Sequence, residues 1–220
     1  MVRIHIPLAP EPARNASAEQ IKAVALRLFA EHGVDGVTVR EIAMAAGQKN
    51  HGAVGYYFGS KEALIRLLVR DGAIALDQLR NAELNRLERD GGPRTIRDIV
   101  DVLIVPLTTL GNDHYVRFIS MLSMTQRDLM ISALDPSWNS AYGRCLDHLR
   151  RLMPPMPHAQ QNMRFVLMGI YLTAVISSRQ RSLADHSRSH PAWDSPASLE
   201  HFMQTLVALL AAEVDLPSTE

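Results

Sequence analysis

The sequence predicts an all-α protein, and three observations predict it. Apolar residues recur at three- and four-residue spacings along most of the 220 residues. No run alternates apolar and polar residues between the turn pairs that bound strands. Apolar residues make up 47% of the chain and aromatic ones only 5%, a composition that suits a largely helical protein.

Residues 1–16, with Pro7, Pro10 and Pro12, read as a flexible arm. Arg3 and Arg14 on it are either solvated or available to a phosphate or minor groove. Ser17 and Gln20 have capping-box spacing, and Ile21, Val24, Ala25, Leu28 and Phe29 behind them share one helix face. Gly33 ends this first helix and Asp35-Gly36 turns the chain. Thr38 and Glu41 form a second capping box, with Val37 and Ile42 placed to staple it. Val39, Ile42, Ala43 and Ala46 then share a face of a helix about two turns long, stopped by Gly47 in a left-handed conformation. After Gln48-Lys49-Asn50, a third short helix carries Ala53, Val54, Tyr57 and Phe58 on its apolar side.

Two short helices across a tight glycine turn have the outline of a helix-turn-helix. An ordinary helical hairpin has the same outline. Gly52 and Gly55 favour the first reading: each costs about 1 kcal/mol relative to alanine inside a helix. A helix that must bring its backbone close to DNA gives a reason to keep such small residues.

Ser60 caps a long helix expected to reach Arg89, with Leu64, Leu68, Ala75 and Leu79 on one face. Asp90-Gly91-Gly92-Pro93 is the clearest break in the chain. Further helices are expected over 95–110, 114–132, 138–153, 159–181 and 197–213, the first of them kinked or divided at Pro106. Pro154-Pro155-Met156-Pro157 closes the third of this set.

The run SAEQIKAVALRLFAEHGVDGVTVREIAMAAG followed by YYFGSKEAL closely resembles the N-terminal DNA-binding domain of TetR-family transcriptional regulators. The resemblance covers about residues 17–65. It lies in a glycine-closed first helix (Leu28 to Gly33), a Thr-led second helix (Thr38 to Ala43) and a tyrosine-rich third helix ending in Tyr56-Tyr57-Phe58-Gly59-Ser60-Lys61-Glu62-Ala63-Leu64. One departure is an extra residue before the tyrosines, in Gln48-Lys49-Asn50-His51-Gly52. It leaves open which of residues 49–52 faces base edges. The resemblance implies a three-helix helix-turn-helix DNA-binding domain over 17–62. A larger helical domain over 63–220 would then bind effector and dimerise.

From matching motif positions, Thr38, Tyr56 or Tyr57, and Lys61 are expected to contact phosphates; Arg40 brackets the same surface. One tyrosine would pack inward instead. Lys49, Asn50 and His51, with Gly52 beside them, are the base-edge candidates, since lysine donates to guanine and asparagine pairs with adenine. For the effector, Phe118, Met121, Leu122, Trp138, Tyr142, Met168 and Tyr171 are candidates, with Tyr115 and Met124 nearby. The same residues are what an ordinary core contains. Dimerisation is expected through two apolar stripes, one with Met163, Leu167 and Ile170, the other with Phe202, Leu206 and Leu209. A two-fold dimer would set two reading helices about 34 Å apart, matching half-sites one helical turn apart.

Charge gives the DNA reading little support. The formal net charge is zero, and residues 1–62 hold seven basic and six acidic side chains. The single cysteine, Cys145, reads as a buried, inert thiol. His186 and His190 have zinc-like spacing, but no cysteine pair or carboxylate cluster completes a site, so neither metal nor cofactor is expected. Nucleophile elbows, phosphate loops and dinucleotide fingerprints do not occur, which argues against an enzyme. The longest apolar run, 165–176, falls short of the about 20 residues a membrane span needs. With no signal-peptide pattern either, the chain reads as cytoplasmic. The leading expectation is a ligand-responsive repressor that binds palindromic operator DNA as a homodimer and is released by a small, largely apolar effector. The alternative is a helical small-molecule-binding or scaffold protein whose helix-turn-helix no longer reads DNA.

Overall fold

The computed structural model describes residues 11–213, and among these it is helical throughout with no strand. The helices are α1 (Glu11–His32), α2 (Val39–Ala45), α3 (Ala53–Phe58), α4 (Lys61–Arg89), α5 (Ile96–Thr109), α6 (Asp113–Thr125), α7 (Arg127–Ala133), α8 (Ser140–Leu152), α9 (His158–Ala184), α10 (Pro191–Asp194) and α11 (Pro196–Ala211). A single 3-10 turn, Pro136–Trp138, precedes α8. The chain forms two compact units, Met1–Leu68 and Val69–Glu220. They meet within α4, past the expected boundary at residue 62.

In the first unit α1 packs on α2 and α2 on α3. Its interior is Ile21, Ala25, Phe29, Ala30, Ile42, Ala43, Val54 and Leu64, all nearly or wholly enclosed. Burying an aromatic and several aliphatic side chains completely is what stabilises a unit this small, at about 1.5–3 kcal/mol for each large side chain. In the second unit α5 packs on α8 and α11, and α9 on α6 and α11. Its centre is Ile99, Leu103, Phe118, Leu122, Leu149, Met168 and Leu206.

Several expectations need correction. Ser17 caps nothing: α1 already begins at Glu11, so residues 11–16 belong to the helix, while Arg3 and the rest of the expected arm lie outside the described residues. The buried face of α4 is turned from the expected one. Beyond Leu64 and Leu68 it runs through Val69, Ala73, Leu76, Asp77, Arg80 and Leu84, and Leu79 is exposed. Pro106 is buried inside α5 without dividing it. The helix expected over 114–132 breaks at Gln126, whose backbone leaves the helical region (φ −141°, ψ 56°). Asp128 in the first turn of α7 suits the new helix start. The loop before α11 contains α10, with Pro191 in its first turn and the Asp194 carboxylate accepting from the His190 N–H.

Candidate nucleic-acid interface and ligand cavity

The helix pair α2–α3 is built as its caps dictate. Thr38 Oγ1 accepts from the Glu41 N–H at 3.2 Å, and a Glu41 carboxylate oxygen accepts from both the Thr38 N–H and hydroxyl at 2.7 Å. Those hydrogen bonds hold the Glu41 carboxyl below its usual pKa. Gly47, at φ 67°, reverses the chain after α2 where a side chain would be strained. Asn50 then turns it again: its Oδ1 accepts the Gly52 N–H at 2.8 Å. Gly52 is the N-cap of α3 and not an interior residue, which corrects the expectation for it; Gly55 is interior. Among the described residues, nothing beyond its own helix backbone and chain neighbours lies within 4 Å of where a Cβ on Gly55 would stand. Ser60 accepts the Ala63 N–H at 3.0 Å and starts α4.

Of the nine residues expected at the interface, seven are exposed: Thr38, Arg40, Lys49, Asn50, His51, Gly52 and Tyr56. Tyr57 and Lys61 are half-buried. Tyr57 is therefore the inward tyrosine, meeting Tyr56 edge-on at 5.0 Å, and the Lys61 ammonium stands 6.0 Å from the Phe29 ring. Arg40 and Lys49 have no ion-pair partner among the described residues, which leaves their charge to the surface. Two roles shift. The Thr38 hydroxyl proton is already donated to Glu41, so this residue sets the helix start and is not a free phosphate donor. Asn50 shapes the turn with the same oxygen that pairing with adenine would use.

In the second unit a cavity of about 250 Å³ opens between α4, α6, α8 and α9. Of the expected effector residues it is lined by Tyr142 and Met168, with Tyr115 beside them. Phe118 and Leu122 are sealed in the core. Met121 and Trp138 do not line it, and the Tyr171 hydroxyl hydrogen-bonds Thr205 at 2.7 Å, tying α9 to α11. Sequence reasoning missed the contribution of α4, which supplies Ala73, Leu76 and Arg80, and that of Leu107, Ile119, Met130, Leu134 and Leu172. Gly72 makes room for Tyr115: a Cβ there would stand 2.0 Å from its ring. The Tyr115 hydroxyl in turn donates to the Val69 carbonyl at 3.2 Å.

Arg80 is 8% exposed. Its Nη2 reaches the Leu103 carbonyl at 3.4 Å, its guanidinium lies 5.9 Å from the Tyr142 ring, and its Nε has no partner. Desolvation lowers its pKa, yet a guanidinium starts so high that it keeps its charge. One turn earlier, Asp77 caps α8 from another helix: it accepts the Ala141 N–H at 2.8 Å, the Ser140 hydroxyl at 2.9 Å and the Asn81 amide at 2.9 Å. Farther along α4, Glu88 receives Arg144 and His148. Cys145 is buried as expected, its thiol pushed up to about 11 by desolvation.

On the dimer stripes, Met163, Leu167 and Ile170 are exposed on α9, together with Val166. Phe202 and Leu206 are not: they are buried within their own subunit, and Leu209 is half-buried. This corrects the expectation that α11 presents these two outward. His190 is half-buried against the Asp185 carbonyl and His186 is exposed; no group of metal-ligating side chains occurs among the described residues. None of the described helices is long and apolar enough to cross a membrane.

A capped short helix, a glycine turn and a second short helix with an open backbone face, followed by a helical body, have the architecture of a helix-turn-helix unit joined to a helical domain. Residues 21–68 match the family model described as bacterial regulatory proteins, tetR family. The chain is 46% identical over 57 residues to the HTH-type transcriptional repressor AcnR of Corynebacterium efficiens, a match covering 26% of this chain and 30% of that protein. It is 41% identical over 63 residues to the repressor of the same name in Corynebacterium glutamicum, covering 29% and 33%. The chain thus spans about a third of the length of the relatives it matches. Two solved structures resemble it nearly end to end. A TetR family transcription regulator from Marinobacter aquaeolei VT8 has a TM-score of 0.60 at 16% identity, covering 91% of this chain and 98% of that one. A tetR-family regulatory protein from Rhodococcus RHA1 has a TM-score of 0.59 at 16% identity, covering 90% and 98%. At that identity they show the fold alone. Residues 21–68 thus carry a segment similar to the tetR-family model, and the rest of the chain shares the fold of these solved structures.

Proposed function

We propose that this chain is a ligand-responsive repressor that binds palindromic operator DNA as a homodimer. The first unit reads DNA, and the second binds the effector and dimerises. The surface of α2 and α3 carries the proposal: exposed cations without ion-pair partners beside an α3 backbone left open at Gly55. Arg40, Tyr56 and Lys61 meet phosphates and set the register. Lys49 and His51 reach base edges, and Asn50 holds the turn that presents them. Phosphate contacts on a chain of zero net charge give modest, salt-sensitive affinity, which two linked half-sites raise.

The dimer forms through α9. Met163, Val166, Leu167 and Ile170 stand at i, i+3, i+4 and i+7, so they form one stripe, and each is about half exposed. Leu209 of α11 adds to its edge. An effector in the cavity beside α4 favours a dimer whose reading helices are misspaced for the operator; its differential affinity for the two arrangements drives release.

Selection from a random duplex pool, followed by footprinting, tests the reading. A protected two-fold site, lost when Lys49 and Arg40 are replaced by alanine, is the expected result. Ile170→Glu should abolish the footprint by giving a monomer on sedimentation. No enriched sequence at low salt, from a protein that sediments as a dimer, would move the chain to the ligand-binding or scaffold reading.

A further inference from the structure

We infer that the cavity takes a ligand with one anionic head on a small apolar body, a monocarboxylate being the simplest, with its head on the Arg80 guanidinium. The inference rests on reading this cavity as the effector site. Most of the lining is apolar, with Leu76, Leu107, Met168 and Leu172 prominent, and no carboxylate lines it. A cation enclosed in such surroundings is strongly disfavoured without a counter-charge. Asp77, the acid on the same face of α4, acts on Arg80 only through space, its oxygens being taken by the N–H of Ala141 and by Ser140 and Asn81. The other ionisable neighbours are no substitute. Burial raises the pKa values of Tyr115, Tyr142 and Cys145, which keeps them protonated and neutral.

That leaves the Arg80 guanidinium in the lining of the cavity, with Nη2 reaching one carbonyl at 3.4 Å and an enclosed Nε that has no partner among the described residues. A guanidinium presents parallel donors that fit the two oxygens of a carboxylate. Asn139, also in the lining, does not cap its own helix with its side chain and so keeps its amide for the same head. At about 250 Å³ the space holds the equivalent of roughly eight waters at about 30 Å³ each, room for a small acid of about that many non-hydrogen atoms.

Calorimetric titration of the full chain, without DNA, with octanoate, octan-1-ol and octylamine tests this. Octanoate should bind most tightly. Arg80→Met should weaken it roughly ten- to a hundredfold, the worth of a charge-assisted hydrogen bond, and leave octanol binding in place. Should Arg80→Met fail to fold by thermal melting, Arg80→Lys and the acid-over-alcohol preference of the unaltered chain decide. Arg80→Lys keeps the charge and loses the fork, so it should bind octanoate with intermediate strength. Equal binding of the alcohol or amine overturns the inference, as does no binding by any acid from acetate to decanoate or by benzoate. An acid that binds through Arg80 and never releases DNA refutes the effector reading only. A neutral compound that releases DNA equally from the unaltered chain and Arg80→Met refutes this inference only.

Discussion

The two units differ in where they keep their polar groups. Among the described residues of Met1–Leu68, every buried side chain is apolar, and the groups proposed to meet DNA are exposed or half-buried. Val69–Glu220 encloses Asp77, Arg80, Ser120, Gln161, Ser177 and Gln180. The first unit therefore separates stability from function: its interior holds it together and its exterior does its work. The second mixes them, because the charge that faces the cavity sits in the same helix face that holds α8 in place.

That contrast can be broken most forcefully in the first interior. Phe29→Ala, at a fully enclosed site, should cost about 3–5 kcal/mol in urea denaturation and take duplex binding with it. In the second unit a polar deletion should also be felt. Asp77→Ala leaves the Ala141 N–H, Ser140 and Asn81 unanswered and should cost about 1–3 kcal/mol. No measurable loss would show that its polar interior is not structural. A pair of glycine replacements sharpens the contrast. Gly72→Ala drives a Cβ into the Tyr115 ring and should destabilise by about 1–3 kcal/mol. Gly55→Ala meets nothing, so stability should rise by up to about 1 kcal/mol while duplex affinity falls. Equal affinity for Gly55→Ala would remove the reason for that glycine.

The smallest effect is electrostatic. Arg97 donates to both oxygens of Glu200, at 2.6 and 2.7 Å, tying α5 to α11 and holding the Glu200 carboxyl at about 2. A carboxyl depressed in the folded state stabilises it above the ordinary value near about 4.3, and the contribution fades as pH falls from there toward 2. The urea midpoint of the unaltered chain should therefore drop over that window more than that of Arg97→Met. The pair is partly exposed, so the difference is small.

Legibility followed the same divide. The Thr38 box, Gly33, Gly47 and the inward apolar residues of α2 and α3 were readable because local chemistry decides them. Val39 was the exception, exposed although it shares the spacing. The cavity was not readable from aromatic and methionine content: Phe118 and Leu122 are enclosed core, and nothing local distinguishes core from lining. A usable signal did exist in α4. Asp77 and Arg80 stand at three- and four-residue spacings among Ala73, Leu76 and Leu84, so two charged residues occupy an apolar stripe. Following the stripe through Ala75 and Leu79 instead turned the helix away from them. The break at Gln126 has no glycine or proline to announce it.

The most direct test of the central claim is binding of the purified protein to the DNA flanking its own gene, at about 50 and about 200 mM salt. A regulator that docks through Arg40, Lys49 and Lys61 should protect a palindrome and lose much of its affinity at the higher salt. Arg40→Ala should lower the slope of log affinity against log salt by about 1. No binding at the lower salt, or binding indifferent to salt and to Arg40, would contradict the account.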